Sequence, residues 1–219
     1  MKRIALFVCL AFAASVVNAQ LIKPKKQETY TLDEKGQVVK KKALFESKKG
    51  PVPAKYLAGA CPLVDGKVTW QQTIEAPGLS SKEIYDRLLK YFMDFCESAN
   101  QTEKSNVSVV EETKHQIGVR IQEWLVFENK PLSLDRTKFN YQIIADCSDG
   151  SATVMLRNIS YIYEEERGGG TIKGEEMLTD ENALNKNGDG FNLGGYRKFR
   201  MKTIDRKDEI MKQIAEILK

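Results

Sequence analysis

A two-layer α+β sandwich is the fold that residues 54–219 predict, with an antiparallel sheet of about five strands and two helices on one face. Three observations carry it. Two segments repeat apolar residues at helical spacing, one beginning at Ser80 and one closing the chain. A strand pattern precedes the first, and four strand-like segments separated by turn residues lie between the two. The order is therefore β-α-β-β-β-β-α, in which a meander of strands offers one apolar face to both helices.

Each element has its own signature. Val68, Trp70 and Ile74 alternate with polar residues until Pro77-Gly78 stops the strand. Ser80 and Glu83 form a capping box, and Leu79 and Ile84 the hydrophobic staple, of a helix. Ile84, Leu88, Tyr91, Phe92, Phe95 and Ala99 form its buried stripe. Residues 107–112, 118–127, 138–147 and 152–163 read as strands, and Lys114-His115-Gln116 and Ser148-Asp149-Gly150-Ser151 suit hairpin turns. Phe139, Tyr141, Ile143, Ala145 and Cys147 alternate cleanly toward a core. A Gly/Asn/Glu-rich loop spans 164–196, with a short helix expected at 180–185. Ile204, Ile210, Met211, Ile214, Ile217 and Leu218 define the closing helix, expected at 203–219.

What precedes the domain points to export. Met1-Lys2-Arg3 is basic, residues 4–17 carry no charge, and Val17-Asn18-Ala19 fits a signal-peptidase site. Cleavage after Ala19 is expected. The apolar run falls short of the ~20 residues that cross a bilayer, so the mature chain is expected to lack a transmembrane segment and to be periplasmic or secreted. Residues 20–53 read as a Lys-rich flexible extension closed by Pro51-Val52-Pro53, with a weak hairpin around residues 30–39. Net charge is +4 overall, but residues 20–60 hold ten Lys against four acids, leaving residues 61–219 at −4. A solvated tether is the plainer reading of those lysines, because no Arg and few aromatic residues are interleaved to stack on bases. No nucleic-acid partner is expected.

Several chemistries are disfavoured. His115 is the single histidine of the 219 residues, which excludes a multi-histidine metal site. It stands between charged residues in a turn and reads as a surface residue. No G-x-S-x-G or Walker-type loop occurs, and glycines 188, 190 and 194 miss dinucleotide spacing. Residues 185–190 approach a calcium-loop pattern, but Tyr196 stands where a bidentate carboxylate belongs, so a turn is preferred. Cys61, Cys96 and Cys147 remain after processing without C-x-x-C spacing; the last two read as buried small hydrophobes. No catalytic residue, metal or cofactor is assigned.

One surface does suggest a role. Arg120, Gln122, Trp124 and Val126 lie opposite Val119, Ile121, Leu125 and Phe127, on the sheet face that a two-layer sandwich leaves open. Arg157, Ile159, Tyr161 and Tyr163 join them if the last strand keeps one period, which its pattern leaves ambiguous. Arg, Trp and Tyr together compose a recognition patch. The competing reading is that the Lys-rich extension or the 164–196 loop folds over this face, since Phe191, Leu193 and Tyr196 need burial.

Several stretches, in order, carry a resemblance. Tyr56-Leu57-Ala58-Gly59-Ala60, Val64-Asp65-Gly66-Lys67-Val68, Pro77-Gly78-Leu79-Ser80 and Glu83-Ile84-Tyr85-Asp86 are similar to a family of exported Bacteroidetes proteins. So are Asp180-Glu181-Asn182-Ala183-Leu184-Asn185 and the run from Lys198 to Asp208. The family is domain of unknown function 4468, with a TATA-binding-protein-like fold. The resemblance covers residues 54–219 and departs at Cys61 and 188–195. It implies fold and location and brings no site residues. The expected function is a non-enzymatic binding module for an envelope ligand or partner, using the open sheet face. The alternatives are a hydrolase of envelope glycans built on Glu164-Glu165-Glu166 and Glu175-Glu176, and a structural envelope protein.

Overall fold

The computed structural model describes residues 30–32, 38–40, 51–131, 133–164, 168–192 and 195–219. The expected signal peptide, most of the Lys-rich extension, Glu165, Glu166 and Leu193 lie outside the described residues. The chain divides at residues 48/49 into two units. In the first, β1 (Tyr30–Leu32) and β2 (Val38–Lys40) pair as an antiparallel hairpin.

In the second unit a small hairpin, β3 (Leu63–Val64) and β4 (Lys67–Val68), leads into β5 (Trp70–Glu75). Helix α1 (Ser81–Cys96) starts on the expected capping box, in which the Glu83 amide donates to Ser80 Oγ and the Ser80 amide to the Glu83 carboxylate. It buries Ile84, Tyr85, Leu88, Phe92 and Phe95. Four strands follow as a meander: β6 (Asn106–Glu111), β7 (Gln116–Lys130), β8 (Ser133–Ser148) and β9 (Ser151–Tyr163). Then come β10 (Thr171–Lys173), two short helices, α2 (Gly174–Leu178) and α3 (Asp180–Ala183), and the long α4 (Tyr196–Ile217).

The main sheet has six strands, all antiparallel, in the order β10-β9-β8-β7-β6. Strand β5 shares the β10 edge, pairing with residues 151–156 of β9 while β10 pairs with 160–162. The strand count exceeds the expected five because three residues of the 164–196 loop close into β10. β7 and β8 also outrun their expected ends, pairing out to Lys130 and Ser133. Helix α4 begins before the expected residue 203 because Phe199 and Arg200, in its first turns, are buried.

Ile117, Val119, Ile121, Leu125, Phe139, Tyr141, Ile143, Ala145, Val154 and Leu156 form the sheet side of the core, and α1 and α4 cover them. Each strand places alternate residues on this face, which is why the period-2 pattern was readable. Among the described residues Cys61, Cys96 and Cys147 are free thiols, with Cys61 and Cys147 buried and Cys96 half-buried. Burial pushes the Cys61 and Cys147 thiols up to about 12 and Cys96 to about 11.

Candidate functional site

The face opposite the helices is built by three neighbouring strands. Gln116, Gly118, Arg120, Gln122, Trp124 and Val126 of β7 stand on it, beside alternate residues of β8 from Arg136 to Asp146. Thr153, Met155 and Arg157 continue it on β9. Along it Arg120, Val126, Arg136 and Asp146 are exposed, and Trp124, Asn140, Gln142, Met155 and Arg157 are half-buried. The described part of the 164–196 loop turns the other way. Leu178, Ala183 and Leu184 are buried, α2 and α3 pack on α4, and Arg200 of α4 donates to the Leu178 carbonyl.

Four of the six expected site residues are on this face. Arg120 is exposed and registers with Gln142, which registers in turn with Arg157. Gln122 is buried, its Nε2 donating to Asn140 Oδ1 at 2.8 Å while its Oε1 accepts from Thr102 at 2.9 Å. Trp124 is half-buried, with the Arg136 guanidinium 3.7 Å above its ring centre. Among the described residues neither Arg120 nor Arg157 forms an ion pair.

Tyr161 and Tyr163 are not on it, and this corrects the expectation. Between Asn140/Ser160 and Gln142/Arg157 the register shifts, so Asn158 and Ile159 together oppose Tyr141 alone. Asn158 takes a left-handed backbone, φ 55°, which Asn tolerates better than most residues. The extra residue inverts the period, so core residues are even-numbered up to Leu156 and odd-numbered from Ile159. Ile159 and Tyr161 are therefore buried beneath the helices. The Tyr161 ring stacks on Phe139 at 5.4 Å, and its hydroxyl lies 2.7 Å from Thr203 Oγ1. Tyr163 packs edge-on to Phe127 and Phe199, and its hydroxyl accepts from Lys198 and donates to Asp135.

The open face holds a hollow of about 180 Å³. Lys104, Arg120, Gln122, Asn140, Gln142 and Asn158 supply its polar lining. Lys104, Asn140, Gln142 and Asn158 were not singled out from sequence. Gln142 and Asn140 are the outward partners of a strand read for its inward residues, and Lys104 arrives from the loop after α1. The outward alternation of 138–147 was the available signal.

The other sequence candidates have structural employment. Glu175 Oε1 accepts from the Val68 amide and Glu176 Oε1 from the Lys173 amide, so both carboxylates are tied to backbone. His115 sits in a left-handed turn, its ring 5.8 Å from that of Tyr85. Among the described residues no group of His, Cys, Asp and Glu is arranged to hold a metal ion, and none of their helices is long and apolar enough to cross a membrane.

A comparison with curated proteins returns no match. The model of the "domain of unknown function (DUF4468) with TBP-like fold" matches residues 70–162, from the start of β5 almost to the end of β9. Among solved structures, a TBP-like protein from Parabacteroides distasonis ATCC 8503 superposes with TM-score 0.56 at 20% identity, covering 73% of this chain and 97% of that one, a likeness of fold. A DUF4468 family protein from Bacteroides ovatus ATCC 8483 superposes with TM-score 0.69 at 36% identity, covering 75% of this chain and 93% of that one. Identity at that level over nearly the whole of a family member, together with the family match across the central sheet, shows that this chain belongs to the DUF4468 family and has its TBP-like fold.

Proposed function

We propose that the protein is an exported, non-enzymatic binding module whose ligand lies on the open sheet face. The observation that carries this reading is that Arg120 and Arg157 stand together on an uncovered face with no counter-ion among the described residues. Guanidinium groups offer forked donors suited to oxyanions, and Trp124 and Arg136 add a flat, cationic rim beside them. Binding is preferred to glycan hydrolysis because Glu175 and Glu176 already accept backbone amides. Export rests on the basic start and the short apolar run before Ala19.

Native mass spectrometry of the protein purified gently from its own cell envelope tests this. The expected species begins at Gln20 and retains a bound mass. Trp124→Ala and Arg157→Glu should each lose that mass while melting within a few degrees of the parent protein, because both side chains face away from the core. Unfolding of Trp124→Ala, or retention of the mass by both variants, rejects the open face as the binding surface.

A further inference from the structure

Resting on that reading, we infer that the hollow on the open face takes a single sugar acid, a pyranose carrying a carboxylate, as a unit of an acidic glycan. The argument begins with the polarity of its amides. Asn140 Nδ2 donates to the Ser160 carbonyl, which can only accept, so Asn140 Oδ1 must face Gln122. Gln122 therefore turns its Nε2 to Asn140 and its Oε1 to the Thr102 hydroxyl. Asn158 Nδ2 donates to Gln142 Oε1 at 2.6 Å. Three amide oxygens, those of Gln122, Asn140 and Gln142, thus each accept one bond inside the protein.

What remains for a ligand is strongly biased toward donors. The Arg120 guanidinium, the Lys104 ammonium and the Gln142 Nε2 make no side-chain hydrogen bond or ion pair among the described residues. Asn158 Oδ1 is the one amide oxygen of the lining that accepts no hydrogen bond among the described residues. Two cations beside amide donors call for an anion, and the Arg120 fork matches a planar carboxylate. A bare oxyanion would leave Asn158 Oδ1 facing negative charge. A hydroxyl, which both donates and accepts, satisfies Asn158 Oδ1 and Gln142 Nε2 alike. Carboxylate and hydroxyls on one small frame are the chemistry of a sugar acid. At about 180 Å³ the hollow is smaller than the roughly 300 Å³ and upward of a drug-sized cleft. It suits one residue of a chain that continues across the open face.

The test is an NMR titration of the mature protein with three probes, methyl β-D-glucuronide, methyl β-D-glucoside and acetate. The glucoside keeps the hydroxyls without the carboxylate, and acetate keeps the carboxylate without the hydroxyls. The glucuronide should move the Gln142 and Asn158 side-chain amide signals and bind about tenfold more tightly than either other probe. Arg120→Gln should lose about tenfold for the glucuronide and change little for the glucoside. Lys90→Gln, on the exposed side of α1, should bind like the parent protein. Equal affinity for acetate would make this a plain carboxylate site, such as one for acidic peptide side chains, and overturn the proposal. Equal affinity for the glucoside, indifference to Arg120→Gln, or no binding at millimolar probe would overturn it as well. If the glucuronide fails while Trp124→Ala still loses the envelope-derived mass, the ligand class falls and the open face stands.

Discussion

Arg200 is the residue whose environment departs furthest from its type. Its side chain is fully buried, yet Nε donates to the Tyr56 carbonyl at 2.7 Å, Nη2 to the Leu57 carbonyl at 2.6 Å, and Nη1 to the Leu178 carbonyl. Asp180 supplies the counter-charge at 2.6 Å. A buried charge is tolerated only when paired and hydrogen-bonded, and this one binds the start of the domain and the segment after β10 to α4. Arg200→Met should cost at least about 3 kcal/mol in urea unfolding, since two buried carbonyls and a part-buried one lose their donor. Arg200→Lys should recover little of it, because an ammonium cannot reproduce the planar fork. Full recovery with Lys would show that charge alone matters. Glu123 is a second case, holding Arg206 by two bonds at 2.9 and 2.7 Å while accepting from Tyr141 and Gln101. Both carry structure, and composition alone marks neither, because a charged residue on a helix or strand reads as solvated by default.

At the scale of elements, the bulge in β9 decides what the open face can be. Had β9 kept one period from Ala152 to Tyr163, either Leu156 or Tyr161 would have been driven into solvent. Asn158 resolves the conflict by adding a residue in a left-handed conformation. Asn158→Gly should fold with stability within about 1 kcal/mol of the parent, since Gly adopts that conformation freely, and should bind the glucuronide more weakly for want of its Oδ1. Deleting Asn158 should abolish cooperative unfolding, because Ile159 and Tyr161 would point out of the core. A stable deletion variant would show that the sheet can slide to compensate. The helices were far easier to read. Ser80, Glu83 and the stripe from Ile84 to Phe95 are local signals, and α1 formed where they stand. The early start of α4 was hidden because its first turns are Tyr196-Arg197-Lys198-Phe199-Arg200, whose basic residues mask burial that depends on distant partners.

For the molecule as a whole, acidic groups buried in neutral form set the response to alkali. Burial lifts the Tyr91 hydroxyl to about 12 and the Cys61 and Cys147 thiols to about 12, and holds the Tyr141 hydroxyl well above its ordinary value. With folded values above unfolded ones, these groups leave stability intact below about pH 9 and reduce it as the unfolded chain ionises above that point. The urea midpoint should therefore fall steadily between about pH 9 and pH 12, and Cys61→Ala should flatten that fall. A midpoint that stays level over this range would mean that the thiols and hydroxyls are reached by water in the folded state.

The sequence by itself determined the α+β class, the meander, both principal helices and the inward residues of β7 and β8, because each rests on a period or a cap that neighbouring residues complete among themselves. It also placed Arg120, Gln122 and Trp124 on the outer face. Only the tertiary structure decided that Tyr161 belongs to the core, that the loop after β9 returns to the helices, and that Lys104, Gln142 and Asn158 share a hollow with Arg120. Those outcomes depend on a one-residue bulge and on partners distant in the chain, as with Arg200 and Tyr56. A local pattern specifies which side of a strand a residue takes, while what it meets there is set by the register of the strands beside it.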